Sequence, residues 1–576
     1  MHCLVAAAYF RCCIKTFTMK KSYSLALIAL LYFVATDAQT TSYLWARNGS
    51  TSGDNAAGEF VAPMPDGGCV SAGEYSLSGL RFGPLHLFGV SHDIYIVRHD
   101  QNGQALWMKG ILGGSYDYVH GMTSDYAGKT YIAGSFQSNY LTIDTVTIFN
   151  QSTPNQSFPT EDGFALVMDS TGNLLTTIKA DSSRACTFTA IRTDKYNNIY
   201  LLGAYTDYIR FDSTFLQTSG SCMFVAGFRK TGELFLLRPV DVSRNAVGTA
   251  LAVSTDGRLA ISGLFYGDSL FTQVDTLINQ NAGYPDGYLI VMDTAGYQKF
   301  VLHAQGNGED RIHCASFAKD GSIWFVDESS AGLNIGGIAV NSNWGLVVWV
   351  HADTGGIILH HNQAEALSIQ VKGFDVGPDG RVYISGKFSA FNIHSGVFTL
   401  QGNGGSTAYW LVTDPFGITS DMKVIANGNN IAATAICVNM QNDIFLTGWF
   451  TSMNSFSIGQ DTLGSLTLPG THCDPWLAKI RGVGSTTGGV TEAASLNGIH
   501  LYPNPASDGI LYITLPPTLE ACTLQVLDLQ GKRMLENLKT TDTFYGLEVA
   551  SLAPGSYLLR VMNKHTSFSR KFIVTR

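Results

Sequence analysis

The sequence has few charged residues and no surplus of basic ones. Only 14% of its 576 residues are Asp, Glu, Lys or Arg, and the formal net charge is -9. A protein that binds nucleic acid or anionic lipid usually carries a basic stripe, so we expect neither partner. The low charge, the 61 glycines and the 11% of aromatic residues favour short strands and tight turns over charged helices. An all-β fold is the first expectation.

Catalytic and cofactor-binding motifs are also missing. No HExxH, GxSxG or P-loop pattern occurs, and the glycine-rich stretches at 306–310 and 402–405 do not precede a helical pattern. The adjacent pairs His360 and His361, and Asp327 and Glu328, would point to opposite faces of a strand. Asp93, Asp162, Asp286 and Asp474 recur one per repeat, which favours capping of turns and strand ends over a calcium site. We expect no catalytic residue, no cofactor and no metal site.

Cysteine usage argues against a disulfide scaffold or a zinc module. Three of the ten cysteines precede residue 19, and the other seven form an odd set without a CxxC pair. We expect buried thiols.

Long apolar runs are scarce, and the clearest one lies near the N-terminus. SLALIALLYFVA at 24–35 follows Met19, Lys20 and Lys21 and precedes a small-residue site before Gln39. About a dozen apolar residues are too few to span a bilayer, which needs roughly 20, so a signal peptide at 19–38 is favoured over a membrane anchor. Residues 1–18 fit no part of such a signal and are interpreted as a mis-called start. We expect no transmembrane segment elsewhere.

A repeated unit fills most of the chain. Stretches such as GKTYIAGSF at 128–136 and GRVYISGKF at 380–388 share a polar turn, an apolar strand, and then glycine, any residue and an aromatic ring. A degraded copy, GSIWFVDES at 321–329, fills a double gap and brings the count to seven. The marker glycines are Gly73, Gly134, Gly203, Gly263, Gly386 and Gly448.

A second signature follows each marker and completes a four-stranded unit. DGYLIVMDTAGYQKFVLHAQG at 286–306 shows it best: an apolar strand, a turn with Asp and Gly, and another strand. Seven units of four antiparallel strands predict a seven-bladed β-propeller over residues 39–482, with a linear β-solenoid as the structural alternative. The seventh unit ends after its third strand, DPWLAKIRG at 474–482. The unassigned YLWARNG at 43–49 is therefore predicted to supply the fourth strand and close the ring.

The units resemble the seven-bladed β-propeller repeats known as SBBP repeats of secreted bacterial proteins. The resemblance covers roughly residues 43–482 and rests on YIAGSF, a downstream LTID or IRFD, and DGFALVMDSTGN. The fifth unit departs from the pattern.

A linker at 483–497 separates the repeats from a small Ig-like β-sandwich predicted at 498–576. This segment resembles the type A C-terminal sorting domain of type IX secretion system cargo, in the stretches YPNPASDG, VLDLQGK, LAPGSYLLRV and KFIVTR. The resemblance implies that the domain contacts the type IX secretion machinery and directs the protein to the medium or the outer cell surface of a Gram-negative bacterium. The matching residues are Tyr502, Pro503, Asn504, Pro505, Gly509, Asp528, Gly531, Lys532, Pro554, Gly555, Tyr557, Lys571 and Phe572.

The most plausible function at this point is binding or adhesion to an extracellular glycan or protein, because propellers gather variable loops around one face and a central channel. Two alternatives stay open: an enzyme that degrades extracellular polysaccharide or peptide, and a structural component of the surface layer.

Overall fold

Every regular element in the described part of the chain is a β-strand, and none is a helix that could cross a membrane. The predicted start, signal peptide and linker at 1–18, 19–38 and 483–497 lie outside the described residues, as do Pro503, Asn504, Pro505 and Gly531. The computed structural model describes residues 42–51, 54–77, 79–151, 161–182, 184–240, 245–281, 283–342, 344–427, 431–451, 456–463, 472–482, 500–502, 506, 509–515, 522–528, 532–535, 538–540, 544–562 and 567–575.

A four-stranded antiparallel arrangement recurs seven times between residues 42 and 481. In each sheet the first strand pairs with the second, the second with the third, and the third with an outer strand. The first strands are Ala56–Pro63, Asp117–Ser124, Cys186–Thr193, Ala246–Val253, Asp310–Phe317, Ile369–Val376 and Ile431–Val438. The second strands are Cys69–Ser76, Thr130–Phe136, Ile199–Phe211, Leu259–Phe265, Ile323–Ser329, Val382–Ser389 and Ile444–Thr451. The third strands are His92–His99, Asp162–Met168, Thr214–Phe228, Asp286–Met292, Gly345–Ala352, Ser406–Thr413 and Cys473–Arg481.

The outer strand follows the third strand in the chain in six sheets and comes from elsewhere in the seventh. The seventh sheet takes Ser42–Asn48, which pairs antiparallel with Cys473–Arg481 so that Ala46 faces Ala478. The other six outer strands are Ala105–Ile111, Leu174–Lys179, Leu234–Pro239, Gln298–Gly306, Ile358–Ala366 and Thr419–Asn427.

The second and third strands are near-continuous apolar runs because both of their faces are covered. All seven residues of Thr130–Phe136 and of Asp162–Met168 are buried. Each large core cluster joins two consecutive sheets, as where Tyr131 of the second sheet packs with Phe188 of the third. The first and seventh sheets also share a cluster, which consists of Trp45, Val61, Cys69, Cys437, Phe445 and Leu477.

Short strands connect the second and third strands of most sheets, or add to their edges. In the third sheet the second and third strands instead extend into one long hairpin, and Asp181–Ser182 pairs with its edge. The short strands are Ser50–Thr51, Leu80–Phe82, Leu85–Leu87, Tyr140–Ile143, Val146–Phe149, Ser269–Phe271, Thr276–Ile278, Leu333–Ile335, Ile338–Val340, Asn392–Ser395, Phe398–Gln401, Phe456–Ile458 and Asp461–Leu463.

Two further sheets lie in the C-terminal segment. A three-stranded sheet contains His500–Tyr502, Ile510–Thr514 and Phe544–Glu548. A four-stranded sheet contains Leu538–Thr540, Cys522–Asp528, Gly555–Met562 and Ser567–Val574. The two sheets share one apolar core that includes Leu511, Val526, Leu559 and Phe572.

Candidate functional site

Each of the seven first strands has a β-bulge at the same place in its pairing with the second strand. One residue of the first strand faces no partner there, so the strand gains a residue and bends. We call the seven unpaired residues the bulge residues. They are Glu59, His120, Thr189, Thr249, His313, Lys372 and Thr434.

The marker glycines lie directly opposite the start of these bulges. A Cβ added at Gly386 would lie 1.9 Å from the carbonyl oxygen of Gln370, and one at Gly203 would lie 2.3 Å from that of Thr187. The bulged strand therefore approaches too closely for any side chain at these positions. All six marker glycines show this contact. An aromatic ring of the third strand also lies close to each of them: a Cβ added at Gly203 would lie 2.7 Å from the ring of Phe224.

All seven bulge residues line one cavity, to which every first strand contributes. Its volume is about 1040 Å³, which is in the range of cavities that hold small-molecule ligands. The residue after each bulge also lines the cavity and is small in six of the seven sheets, which keeps the space open. The small residues are Gly121, Ala190, Ala250, Cys314, Gly373 and Ala435; the seventh is Phe60.

Two bulge threonines have structural roles. Thr249 Oγ1 donates to Ile312 O of the next sheet at 2.8 Å, and Thr434 Oγ1 donates to Gly58 O. These bonds join the first strands of the fourth and fifth sheets and of the seventh and first sheets.

His120 contacts a serine and a glutamate in an arrangement that does not suit nucleophilic catalysis. His120 Nε2 lies 2.8 Å from Ser135 Oγ, and Ser135 Oγ donates to Glu161 Oε1 at 2.5 Å. A catalytic serine must donate to the histidine, and the carboxylate must orient that histidine. Here the serine donates to the carboxylate and is fully buried. Burial also lowers the pKa of His120 to about 4, so its ring is neutral near pH 7.

Two glutamates of the first sheet have raised pKa values. Burial raises the pKa of Glu59 to about 7, and the charge of Lys372 acts in the opposite direction. Burial raises the pKa of Glu74 to about 8, and the charge of Glu59 adds to this effect. Glu59 lines the cavity and Glu74 does not. In the fifth sheet, His313 Nε2 lies 3.1 Å from Glu328 Oε2.

The sequence led us to expect buried thiols, and most of the described cysteines are buried. None of the seven in the described residues forms a disulfide, and five are buried. Cys314 and Cys437 line the cavity, and burial raises the pKa of Cys314 to about 11 and that of Cys437 well above its usual value. Neither is a thiolate near neutral pH.

The fifth sheet differs at the marker position. Asp327 replaces the glycine there, and its strand partner is Val348 instead of the aromatic residue present in the other sheets. Neither carboxylate oxygen of Asp327 has a hydrogen-bond partner in the described part of the chain, and burial raises its pKa well above the usual range. Burial also raises the pKa of nearby Asp310 to about 7.

The recurring aspartates bind the ends of strands and turns. Asp93 accepts from Val90 N at 2.8 Å and from Gly113 N at 2.9 Å, and Asp474 accepts from Thr51 N at 2.9 Å. Asp162 accepts from Ser182 at 2.9 Å, and Asp286 lies 2.8 Å from His303 Nε2. These contacts are those expected of capping residues. Among the described residues, no group of three or more His, Cys, Asp or Glu is arranged to hold a metal ion.

The described motif residues of the C-terminal segment have local structural contacts. Gly509 has φ +75, which favours glycine, and Asp528 accepts from Lys532 N at 2.8 Å. Tyr557 donates its hydroxyl to Ala553 O at 2.7 Å, and its ring stacks on Phe572 with centroids 5.7 Å apart. Pro554 is exposed before the strand that begins at Gly555, and Lys571 lies in the strand Ser567–Val574.

The bulge residues were not predicted from the sequence, although the sequence contains a signal that identifies them. Each lies fourteen positions before the marker glycine of its sheet, or before Asp327 in the fifth. The residue type changes from copy to copy, so a search for repeated residues passes over the position; a search at a fixed distance from the marker would find it.

Comparison with known proteins matches the C-terminal segment to a family. Residues 500–575 match the model of the secretion system C-terminal sorting domain. No curated protein matches the chain. Solved structures that the chain is similar to include puromycin hydrolase (11% identity, TM-score 0.39), Sqt1 from Chaetomium thermophilum (10%, 0.34) and the WD40 domain of Neurospora crassa Pan2 (9%, 0.26).

The matched shares differ between these structures. The match covers 80% of this chain and 58% of puromycin hydrolase, so the chain spans less than two thirds of that protein. It covers 70% of this chain and 97% of Sqt1, and 56% of this chain and 94% of the Pan2 domain. The family match is the informative one: the protein carries a C-terminal sorting domain and is secreted through the type IX secretion system to the cell surface or the extracellular space.

Proposed function

We propose that residues 39–482 form a seven-bladed β-propeller of the SBBP type, closed by the N-terminal strand, and that this propeller is a binding or adhesion module for an extracellular glycan or protein. The sorting domain delivers it to the outside of the cell.

The closed ring is supported by contacts between the first and seventh sheets. The seventh sheet contains the strand Ser42–Asn48, and Trp45 of that strand packs against Val61 and Cys69 of the first sheet. Trp45 Nε1 also donates to Gln101 O at 2.8 Å, in a turn of the first sheet. The pairing with the seventh sheet and the contacts with the first sheet could not both be present if the seven sheets formed an open array.

The observation that carries the binding function is the cavity of about 1040 Å³ lined by all seven first strands. The backbone scaffold of the cavity is the same in every sheet, while the bulge residue varies among Glu, His, Thr and Lys. A constant scaffold with variable side chains around one space is typical of a binding site.

An enzyme is the second candidate, because Glu59 and Glu74 have raised pKa values of about 7 and 8. A carboxylic acid with a pKa near 7 can act as a general acid. A glycosidase, however, needs two carboxyl groups that face the same substrate, and of these two glutamates only Glu59 lines the cavity. The other lining acids, Asp125, Asp320, Asp375 and Asp379, already accept hydrogen bonds or ion pairs from donors of the protein. Binding is therefore the better supported function.

A cavity-filling variant tests the proposal. Ala435 lines the cavity, so the indole ring in Ala435→Trp would occupy it. Ala295 lies exposed in a turn of the fourth sheet, and Ala295→Trp is the matched control. We expect arrays of glycans and extracellular peptides to contain ligands that bind the wild type and Ala295→Trp equally, and Ala435→Trp at least about tenfold more weakly.

Hydrolysis of the same panel separates the candidates. If the wild type hydrolyses a panel member, and both Glu59→Gln and Glu74→Gln abolish this hydrolysis, the protein is an enzyme and the binding proposal is wrong. A structural role in the surface layer would be supported if no panel member distinguished Ala435→Trp from the wild type.

A further inference from the structure

We infer that the cavity recognises an oxyanion, the carboxylate of an acidic saccharide, between the side chains of Arg192 and Lys372. The inference rests on the proposed function, because it names the ligand class of the same cavity.

Arg192 and Lys372 line the cavity from two different sheets, the third and the sixth. Arg192 lies in the first strand of the third sheet, and Lys372 is the bulge residue of the sixth. Both line the cavity. Their charges converge, since both lower the pKa of the Cys314 thiol in the fifth sheet, against the larger effect of burial.

Neither cation forms a salt bridge in the described part of the chain. Carboxylates act on them only at longer range: Asp375 on Arg192, and Glu59 and Glu328 on Lys372. Arg192 Nη1 donates to the carbonyl oxygen of Ile191 at 2.8 Å, and no carboxylate lies within 4.0 Å of its guanidinium or of the Lys372 ammonium. Burial lowers the pKa of Arg192, which means that its charge is poorly solvated. A cation enclosed in this way is stabilised by an anion that enters the cavity.

The acids that line the cavity are held by other donors. Asp375 accepts from Val376 N at 2.8 Å and from Val438 N at 2.9 Å. Asp125 accepts from Tyr131 at 2.9 Å and from two backbone amides, and Asp379 pairs with Arg381 at 3.2 Å. Asp320 accepts from Ser322 N at 3.0 Å. Because their oxygens already accept hydrogen bonds, these acids compete weakly for the two cations.

Glu59 is the one lining acid without such donors, and its state favours an incoming anion. Burial raises its pKa to about 7, so the carboxyl is partly protonated near neutral pH. A protonated carboxyl donates a hydrogen bond, which suits a saccharide hydroxyl or carboxylate.

The remaining wall suits a saccharide more than a small inorganic ion. Phe60, Phe317 and Phe374 line the same cavity and offer apolar ring surface to a sugar face. The volume also exceeds by far the space of one sulfate or phosphate ion. The observations therefore favour a sugar that carries a charged group over the free anion.

The test compares a charged ligand with its uncharged form. The probes are trigalacturonate and its methyl ester, titrated calorimetrically into the full chain at low ionic strength. We expect trigalacturonate to bind at least about tenfold more tightly than the ester, and Lys372→Gln and Arg192→Gln each to remove most of this difference. Lys230→Gln, which changes an exposed lysine outside the cavity, is the matched control.

Two further measurements make each outcome decisive. Melting temperatures identify a variant that fails to fold, and Lys372→Arg, which keeps the charge, should restore binding where Lys372→Gln loses it. The inference is wrong if the acid and the ester bind alike, if neither binds, or if the Gln variants bind as the wild type does. If only uncharged ligands bind, and Ala435→Trp abolishes their binding, the binding function of the cavity holds and the inference about an anion is wrong. If Ala435→Trp changes the binding of no ligand, both the proposed function and the inference are wrong.

Discussion

Trp45 offers the sharpest test of ring closure. Its side chain is 5% exposed and lies between the seventh sheet, to which its strand belongs, and the first sheet. Its ring centroid lies 6.4 Å from those of His99 and Phe445, and a Cβ added at Gly103 would lie 2.7 Å from the indole. The Trp45→Ala variant removes this packing and the hydrogen bond to Gln101 O.

The expected loss follows from burial. Replacing a buried Trp by Ala costs about 3–5 kcal/mol of unfolding free energy. An unfolding entropy of about 2.1 cal/mol/K per residue gives about 0.9 kcal/mol/K for the roughly 440 residues between the N-terminal strand and the end of the seventh sheet. The variant should therefore melt about 3–5 °C below the wild type.

Leu44→Ala is the matched control, because Leu44 is the preceding residue of the same strand and is 38% exposed. Scanning fluorimetry of both variants, with limited proteolysis near the melting temperature, provides the measurement. We expect Leu44→Ala to melt within about 1 °C of the wild type. If Trp45→Ala does the same and resists protease equally, the N-terminal strand does not close the propeller.

Two other predictions concern the marker position and the buried acids. Gly386→Ala should lower the free energy of unfolding by about 3 kcal/mol, as measured in a thermal melt, because the added Cβ would lie 1.9 Å from Gln370 O. Gly114→Ala is the control and should change stability little, because no atom lies near its added Cβ. Equal effects of the two substitutions would contradict the steric account of the marker glycines. Asp310 has a folded pKa of about 7, above its unfolded value, so the wild type should lose stability as pH rises from about 4 to 7. Asp310→Asn should flatten this decline in melts across that pH range, and an unchanged slope would show that Asp310 is not its source.

The repeat could be predicted from the sequence because its signals are local. A polar turn, an apolar strand and a glycine recur together, and the glycine recurs because the bulged first strand leaves no room for a Cβ. The pairing of Ser42–Asn48 with the seventh sheet was also predictable, since one outer strand was missing and one strand was unassigned. The first inference needed only the repeated sequence pattern, and the second needed only the number of outer strands.

The candidate site could not be predicted in the same way. The residues that give the cavity its chemistry vary among the copies, and their common feature is a register position that the strand pairing defines. Arg192 and Lys372 lie 180 positions apart in the chain, and only the packing of the sheets brings their charges to bear on Cys314. Side chains that converge from separate repeats leave no local pattern.

The fifth sheet shows how a departure from the repeat can preserve the fold. In the other sheets a glycine and an aromatic ring fill the space beside the bulge, as Gly386 and Tyr409 do. Asp327 adds a side chain there, and Val348 in place of the aromatic residue removes volume from the opposite strand. Because the two changes offset each other sterically, the bulge at His313 is kept. The substitution leaves a carboxyl buried without a hydrogen-bond partner, which costs stability that a glycine would not. The glycine and aromatic residue of the other sheets would pack equally well here. The double variant Asp327→Gly, Val348→Tyr, which restores that pair, should therefore raise the melting temperature more than either change alone.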